Sequence, residues 1–195
     1  ITHLGGGACS LARYCADVYP NSRNTVVELD AKLAEYVRDW FDIPKSPRVK
    51  IRVGDAGTIT RSFAPASRDV VIRDVFALDK TPAELTGVIF VRTVDNSLGP
   101  GGLYILNCGD DRTLNAARAE AAALLEVFEY VSIVADSAML KGRRRGNVIL
   151  AGSHAPLPQL GSAEAASISR VLMGGGVPAQ YWDTEKVRVF ARKGA

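Results

Sequence analysis

The sequence predicts an α/β protein with a doubly wound sheet, mostly parallel with an antiparallel edge. Three stretches carry this expectation. The chain opens Ile1-Thr-His-Leu-Gly-Gly-Gly-Ala-Cys-Ser10, an apolar run that stops at a glycine cluster. After a helix-compatible segment comes Thr25-Val-Val-Glu-Leu-Asp30, a β-branched run that ends in acid about twenty positions beyond the glycines. Val49-Lys-Ile-Arg-Val-Gly-Asp-Ala56 then repeats the pattern of a β-rich run closing on an acidic loop. That is the layout of a nucleotide-binding β-α-β unit. Strand and helix go on alternating for most of the chain, as a layered sheet requires.

The elements follow in order. Residues 1–5 and 25–29 read as the first two strands, with a helix over Ser10–Val18 whose amino terminus faces the glycines. Ala31–Phe41 is a second helix, because Leu33, Tyr36, Val37 and Trp40 recur at helical spacing. Pro44 and Pro47 mark a loop, and Val49–Val53 is the third strand. Asp69-Val-Val-Ile-Arg-Asp74 is almost continuously apolar and so is a strand buried on both faces. Thr81–Ser97 is helical with Pro82 suited to its first turn, and Leu98–Gly102 is a turn. Leu103–Asn107 is strand five, and Asn115–Phe128 is an alanine-rich helix. Val131–Ala135 and Asn147–Ala151 form a hairpin-like return around an irregular loop that carries Lys141-Gly-Arg-Arg-Arg145. A helix over Ala163–Met173, a bend at Gly174–Gly176 and a short strand at Val187–Phe190 close the chain.

The bulk numbers fit one globular domain spanning residues 1–195, with 47% hydrophobic and 23% charged residues. A net charge of +3 is too modest to argue for nucleic acid. No apolar run approaches the ~20 residues that cross a bilayer, which argues against a membrane partner. The three cysteines, Cys9, Cys15 and Cys108, lack metal-ligand spacing, as do His3 and His154. The expectation is buried, reduced thiols in a cytoplasmic protein, with no metal. No signal-peptide pattern precedes the first strand. The chain starts directly on a core strand, which raises the expectation of a segment upstream of residue 1.

Function follows first from the residues. Gly5, Gly6 and Gly7 let the backbone turn and approach a ligand with no Cβ in the way. Glu28, at the tip of the second strand, can accept hydrogen bonds from two ribose hydroxyls. The expected ligand is therefore a nucleoside-containing small molecule at the carboxyl ends of the parallel strands.

Leu4-Gly-Gly-Gly7, Val27-Glu-Leu-Asp30, Gly54-Asp-Ala56, Asp69–Asp74 and Pro100-Gly-Gly102, in that order, resemble the Rossmann-like methyltransferase fold. More narrowly, they resemble the spermidine synthase (polyamine aminopropyltransferase) family. Gln180–Phe190 is similar to that family's closing segment. The resemblance covers nearly the whole chain but not the small amino-terminal β domain that family members carry. It implies that Gly5–Gly7 line the methionine-derived part of an S-adenosyl ligand, either decarboxylated S-adenosylmethionine or S-adenosylmethionine itself. It further implies that Glu28 holds the ribose, that Asp55 with the Ala56 backbone reads the adenine, and that Asp74 helps activate the attacking amine. A small amine acceptor and a homodimer are implied too.

The chain departs from the family pattern in three places. Ala8-Cys9 stands where the glycine loop usually continues Asp-Gly, and Ala77 stands where a second catalytic-loop Asp belongs. The segment that contacts the polyamine falls near Met139–Gly146, which here is basic. Asp79, two residues past Ala77, and Arg143 are the candidate acceptor contacts, with a solvated basic face as the plainer reading of the arginines. Lost acids and added arginines argue against putrescine as acceptor. The leading expectation is a spermidine synthase-like transfer of an aminopropyl group to an amine. An S-adenosylmethionine-dependent methyltransferase is the alternative. A non-catalytic nucleoside-binding module follows, and a nicotinamide dehydrogenase ranks last because Ser10 replaces its third glycine.

Overall fold

The computed structural model describes residues 1–192. Eight strands form one sheet: β1 (Thr2–Leu4), β2 (Asn24–Glu28), β3 (Val49–Val53), β4 (Arg68–Arg73), β5 (Leu98–Asp110), β6 (Tyr130–Asp136), β7 (Gly146–Ser153) and β8 (Ala179–Trp182). Their order across the sheet is β3-β2-β1-β4-β5-β7-β6-β8. The pairs from β3 to β5 are parallel, and β5–β7, β7–β6 and β6–β8 are antiparallel. The doubly wound sheet with an antiparallel edge is therefore as expected. β1 lies inside the sheet between β2 and β4, and Thr2, His3 and Leu4 are all buried.

Helices cover both faces: α1 (Ser10–Val18), α2 (Ala31–Trp40), α3 (Ala56–Arg61), α4 (Gly87–Ser97), α5 (Asn115–Leu125), α6 (Ser137–Leu140), α7 (Ala163–Met173) and α8 (Thr184–Arg192). Strand alternation sends successive side chains to opposite layers. Val26 packs with Cys9, Ala12, Ala16 and Val37 under α1 and α2. Its neighbour Val27 joins Leu4, Val71, Phe90, Val94 and Leu124 in the larger core under α4 and α5.

Four local expectations are corrected. Val187–Phe190 is helical, lying inside α8, and the closing strand is the earlier Ala179–Trp182. Helical spacing turns Val187 and Phe190 inward and leaves Glu185, Lys186 and Arg188 in water, while Asp183 accepts from the Lys186 amide at the helix head. Leu98–Gly102 is not a turn but the start of β5, joined to β4 through a register irregularity between Arg68 and Val70. Thr81–Ser97 is not one helix: a single 3-10 turn at Ala83–Leu85 precedes α4. The chain passes between them at Gly87, which has φ of +74°, and the Leu85 carbonyl is turned to the Arg73 guanidinium instead of continuing a helix. The loop between β6 and β7 contains the short helix α6, capped by Asp136.

Candidate functional site

A cavity of about 720 Å³ opens at the carboxyl ends of β1 to β4. The chain order reverses there between β1 and β4, the switch point where open α/β sheets bind ligands. Gly5, Gly6, Gly7, Glu28, Asp55, Ala56 and Asp74 all line it. The residues assigned to the donor and to catalysis are thus brought together from four segments up to seventy residues apart.

The glycine loop is held from two sides. Gly5 has φ of +91°, and a Cβ there would run into the Asp74 carbonyl. A Cβ on Gly6 would sit 3.0 Å from Glu28 Oε2. Only glycine lets the loop lie this close to both. Glu28 fastens it: Oε2 accepts from the Gly6 and Gly7 amides, each at 3.0 Å, and Oε1 accepts from the Asp30 amide at 2.9 Å. The acid expected to hold a ribose therefore also orders the loop. A carboxylate has about four acceptor sites, and with three taken one remains, on Oε1, for a ribose hydroxyl. Asp30 in turn caps α2 through the Lys32 and Leu33 amides at 2.8 and 3.1 Å.

Asp55 caps α3, accepting from the Thr58 amide at 2.7 Å, and hydrogen bonding with Thr58 holds its carboxyl below the usual range. Ala56 begins α3 and is buried. Asp74 follows β4; its amide donates to the Leu4 carbonyl at 2.8 Å, and its Oδ1 accepts from Asn107 Nδ2 at 3.0 Å. Asn107, on β5, thereby orients the expected base. His3 lies behind the loop with Nε2 3.0 Å from Asn24 Oδ1, and burial pushes its pKa down, so the ring is neutral at pH 7. The cavity is one-sided in charge. Five carboxylate residues line it, Glu28, Asp30, Asp55, Asp74 and Glu84, and no lysine or arginine does among the described residues.

A second cavity of about 760 Å³ adjoins the first, with Phe76 lining both. It lies between the 79–87 segment, the end of β5 and the first turns of α5. Asp79 lines this second cavity, 4.0 Å from Arg145, and is absent from the first. Arg143 lines neither. Arg144 is turned to Asp136, its Nε 3.0 Å from Oδ2. The basic run is thus split between a helix-capping carboxylate, the edge of the second cavity and solvent.

Behind this wall Arg73, fully buried, donates to Glu120 Oε1 at 2.6 Å and to the Leu85 carbonyl. Glu84, an acid left by the sequence to pair an acceptor ammonium, lines the first cavity, and Asn107, Phe76 and Glu120 are site residues that the sequence did not point to. A lone acid in the alanine-rich Asn115–Leu125 stripe and a lone arginine in Val70-Val-Ile-Arg73 were the available signals. No cluster of three potential metal ligands occurs among the described residues, nor does any helix long and apolar enough to cross a membrane.

No protein-family model matches the sequence. Among solved structures, a probable spermidine synthase from Corynebacterium glutamicum is 60% identical, with a TM-score of 0.94 over 97% of this chain and 68% of that one. Human methyltransferase-like protein 13 in complex with SAH is 26% identical, with a TM-score of 0.68 over 88% and 78%. Among curated proteins, the mouse eEF1A lysine and N-terminal methyltransferase is 29% identical over 94% of this chain, which spans only 26% of that relative. A polyamine aminopropyltransferase of Neisseria meningitidis is 27% identical over 66% of this chain and 48% of its own length.

Proposed function

The chain belongs to the spermidine synthase family, and from that premise we propose that it transfers an aminopropyl group from decarboxylated S-adenosylmethionine to an amine. The observation that carries the choice of donor is the charge of the first cavity, lined by five acids and, among the described residues, by no lysine or arginine. Decarboxylated S-adenosylmethionine brings a sulfonium and an ammonium and no carboxylate. Ordinary S-adenosylmethionine would add an anion among these acids, and like charges a few ångströms apart cost on the order of 1–4 kcal/mol.

In the proposed roles Glu28 receives a ribose hydroxyl at the free site on Oε1, Asp55 and the Ala56 backbone face the adenine, and Gly5–Gly7 pass along the aminopropyl arm. Asp74 takes a proton from the acceptor ammonium. The freed nitrogen lone pair forms a bond to the methylene carbon beside sulfur. The carbon–sulfur bond breaks, its electron pair stays on sulfur, and neutral methylthioadenosine leaves. Alignment of nitrogen, carbon and sulfur supplies much of the rate, with no covalent enzyme intermediate. The acceptor, the homodimer and the single adenosyl-binding domain are parts of the same proposal, and light scattering reads the dimer directly.

Calorimetry with the two donors tests the choice. Decarboxylated S-adenosylmethionine is expected to bind at least tenfold more tightly. Equal or reversed affinities overturn it. They would favour methyl transfer to an amine, the reading supported by the likeness to the mouse methyltransferase, whose name specifies lysine and amino-terminal nitrogens.

A further inference from the structure

Residues 81–97 read as one helix in the sequence, yet the chain breaks before α4 and sets a detached 3-10 turn against the first cavity. Pro82, Glu84 and Leu85 line that cavity. Leu85 is buried, and its Cδ2 lies 3.4 Å from where a Cβ on Gly57, in α3, would stand. The break is built into the chain. Gly87 takes φ of +74°, and a Cβ on it would meet nothing within 4 Å. Glycine is there for its backbone conformation and not for space.

A side chain from another strand holds the turn in place. Arg73 Nη1 donates to the Leu85 carbonyl and Nη2 to Glu120 Oε1 at 2.6 Å. One planar guanidinium thus joins the end of β4, the detached turn and α5. As a source of stability this pair is weak. Arg73 is fully buried and Glu120 is 4% exposed. Among the described residues, Arg73 Nε and Glu120 Oε2 have no hydrogen-bond partner. Polar atoms buried without partners cost free energy, and apolar side chains of similar volume often replace a buried ion pair with no loss of stability. The contact with the Leu85 carbonyl gives the arginine a different task.

We propose that Arg73 is a positioning residue for the donor: through the Leu85 carbonyl it keeps the 82–85 turn out of α4 and holds it as a wall of the first cavity, with Glu120 fixing the guanidinium from behind. The proposal rests on the reading of the first cavity as the donor site and goes beyond it in naming what shapes its wall. Arg73 does not itself line that cavity. It acts through Leu85, which packs toward α3, and through Glu84, one of the five acids of the lining. Without the clamp the Leu85 carbonyl is released, and the turn leaves the cavity to rejoin the helix that its sequence favours. Asp74 is held separately, by Asn107 and the Leu4 carbonyl, so the base stays where it is.

The test is titration calorimetry with methylthioadenosine, paired with thermal unfolding and amide hydrogen exchange. Methylthioadenosine is uncharged, so the result does not depend on the charge argument that selects the donor. Arg73→Met combined with Glu120→Leu removes both charges together and leaves neither unpaired. This double variant is expected to unfold no earlier than wild type, yet to bind methylthioadenosine at least tenfold more weakly. Its amide exchange should quicken over residues 83–88 and stay unchanged at Gly5–Gly7. Glu120→Gln keeps an oxygen for Arg73 and so keeps the clamp. It is expected to unfold earlier, because the buried arginine loses its counter-charge, and to bind methylthioadenosine within twofold of wild type. A merely structural pair would move stability and affinity together. Affinity within twofold of wild type in the folded double variant overturns the positioning role, as does an equal loss of affinity in Glu120→Gln. A double variant that unfolds well below wild type also overturns it, because the pair would then be kept for stability. Wild-type protein that does not bind methylthioadenosine overturns the donor-site reading instead, so the two failures are distinct.

Discussion

The two cavities meet at Phe76 but are built on different terms. The first is made mostly of main chain. Glycine amides, helix amino termini and strand ends shape it, and its acids, Glu28, Asp30 and Asp55, are tied to backbone N–H groups. The second is made of side chains from the 79–87 segment, β5, α5 and the β7 end, and its deepest acid is tied to an arginine from another strand. The first is the proposed donor site, and its backbone parts suit the adenosyl portion that aminopropyl- and methyltransferase donors share, while its acids are what would tell the donors apart.

The sharpest way to break this division is at the point where the two halves join. Asp74→Asn keeps the shape and the contact with Asn107 but removes the base. Turnover, followed as methylthioadenosine release, should fall by ~100-fold or more, the usual scale for general base catalysis, with donor affinity unchanged. A loss of donor affinity of similar size would make Asp74 part of the donor site and erase the boundary.

Within the first cavity, Glu28→Ala should cost both ribose binding and loop order. Affinity for methylthioadenosine is expected to drop by about 1–3 kcal/mol, the scale for a charged hydrogen-bond partner. Calorimetry reads it, and unchanged affinity in a folded variant would remove Glu28 from the site. Asp55→Ala should lose the α3 cap, lowering stability by about 0.5–2 kcal/mol. Thermal unfolding reads that effect, at about 2–4 °C per kcal/mol for a chain of this size.

Beneath the second cavity the expected effect is alkaline. Burial pushes the Cys108 thiol up to about 12 and the Tyr104 hydroxyl higher still. Above about pH 9 the unfolded chain loses these protons while the folded chain keeps them, so stability must fall as pH rises. The slope is at most about 1.4 kcal/mol per pH unit for each group. Cys108→Ser should flatten the first part of that decline in denaturant titrations between pH 9 and 11, and an unchanged slope would place the loss elsewhere.

What could be read in the sequence follows the same division. Glycines ending a strand and acids closing the next strands are local patterns, so Gly5–Gly7, Glu28 and the acidic loop at Asp55 could be named, the family resemblance added Asp74, and the structure gathers them around one cavity. The second cavity depends on contacts far apart in the chain. Arg73 and Glu120 are 47 residues apart, and nothing near either one signals the other. Val187-Arg-Val-Phe190 alternates like a strand, yet packing chose the helix because Val187 and Phe190 share one helical face. Pro100-Gly-Gly102 carries turn residues, yet β4 and β7 pair on either side and draw its surroundings into β5.

The close approach of Gly5 to the Asp74 carbonyl reaches beyond packing. It brings the main chain of the donor loop against the main chain that carries the expected base, with no side chain between them. The spacing of the two segments is then set by two backbones, and only the last step, the Asp74 carboxylate held by Asn107, depends on a rotamer. Substitutions in α5 or the β6–β7 loop can therefore change the second cavity without moving those two backbones. A family built this way can diversify its acceptors at little catalytic risk, while a side chain at position 5 would disturb every one of its reactions at once.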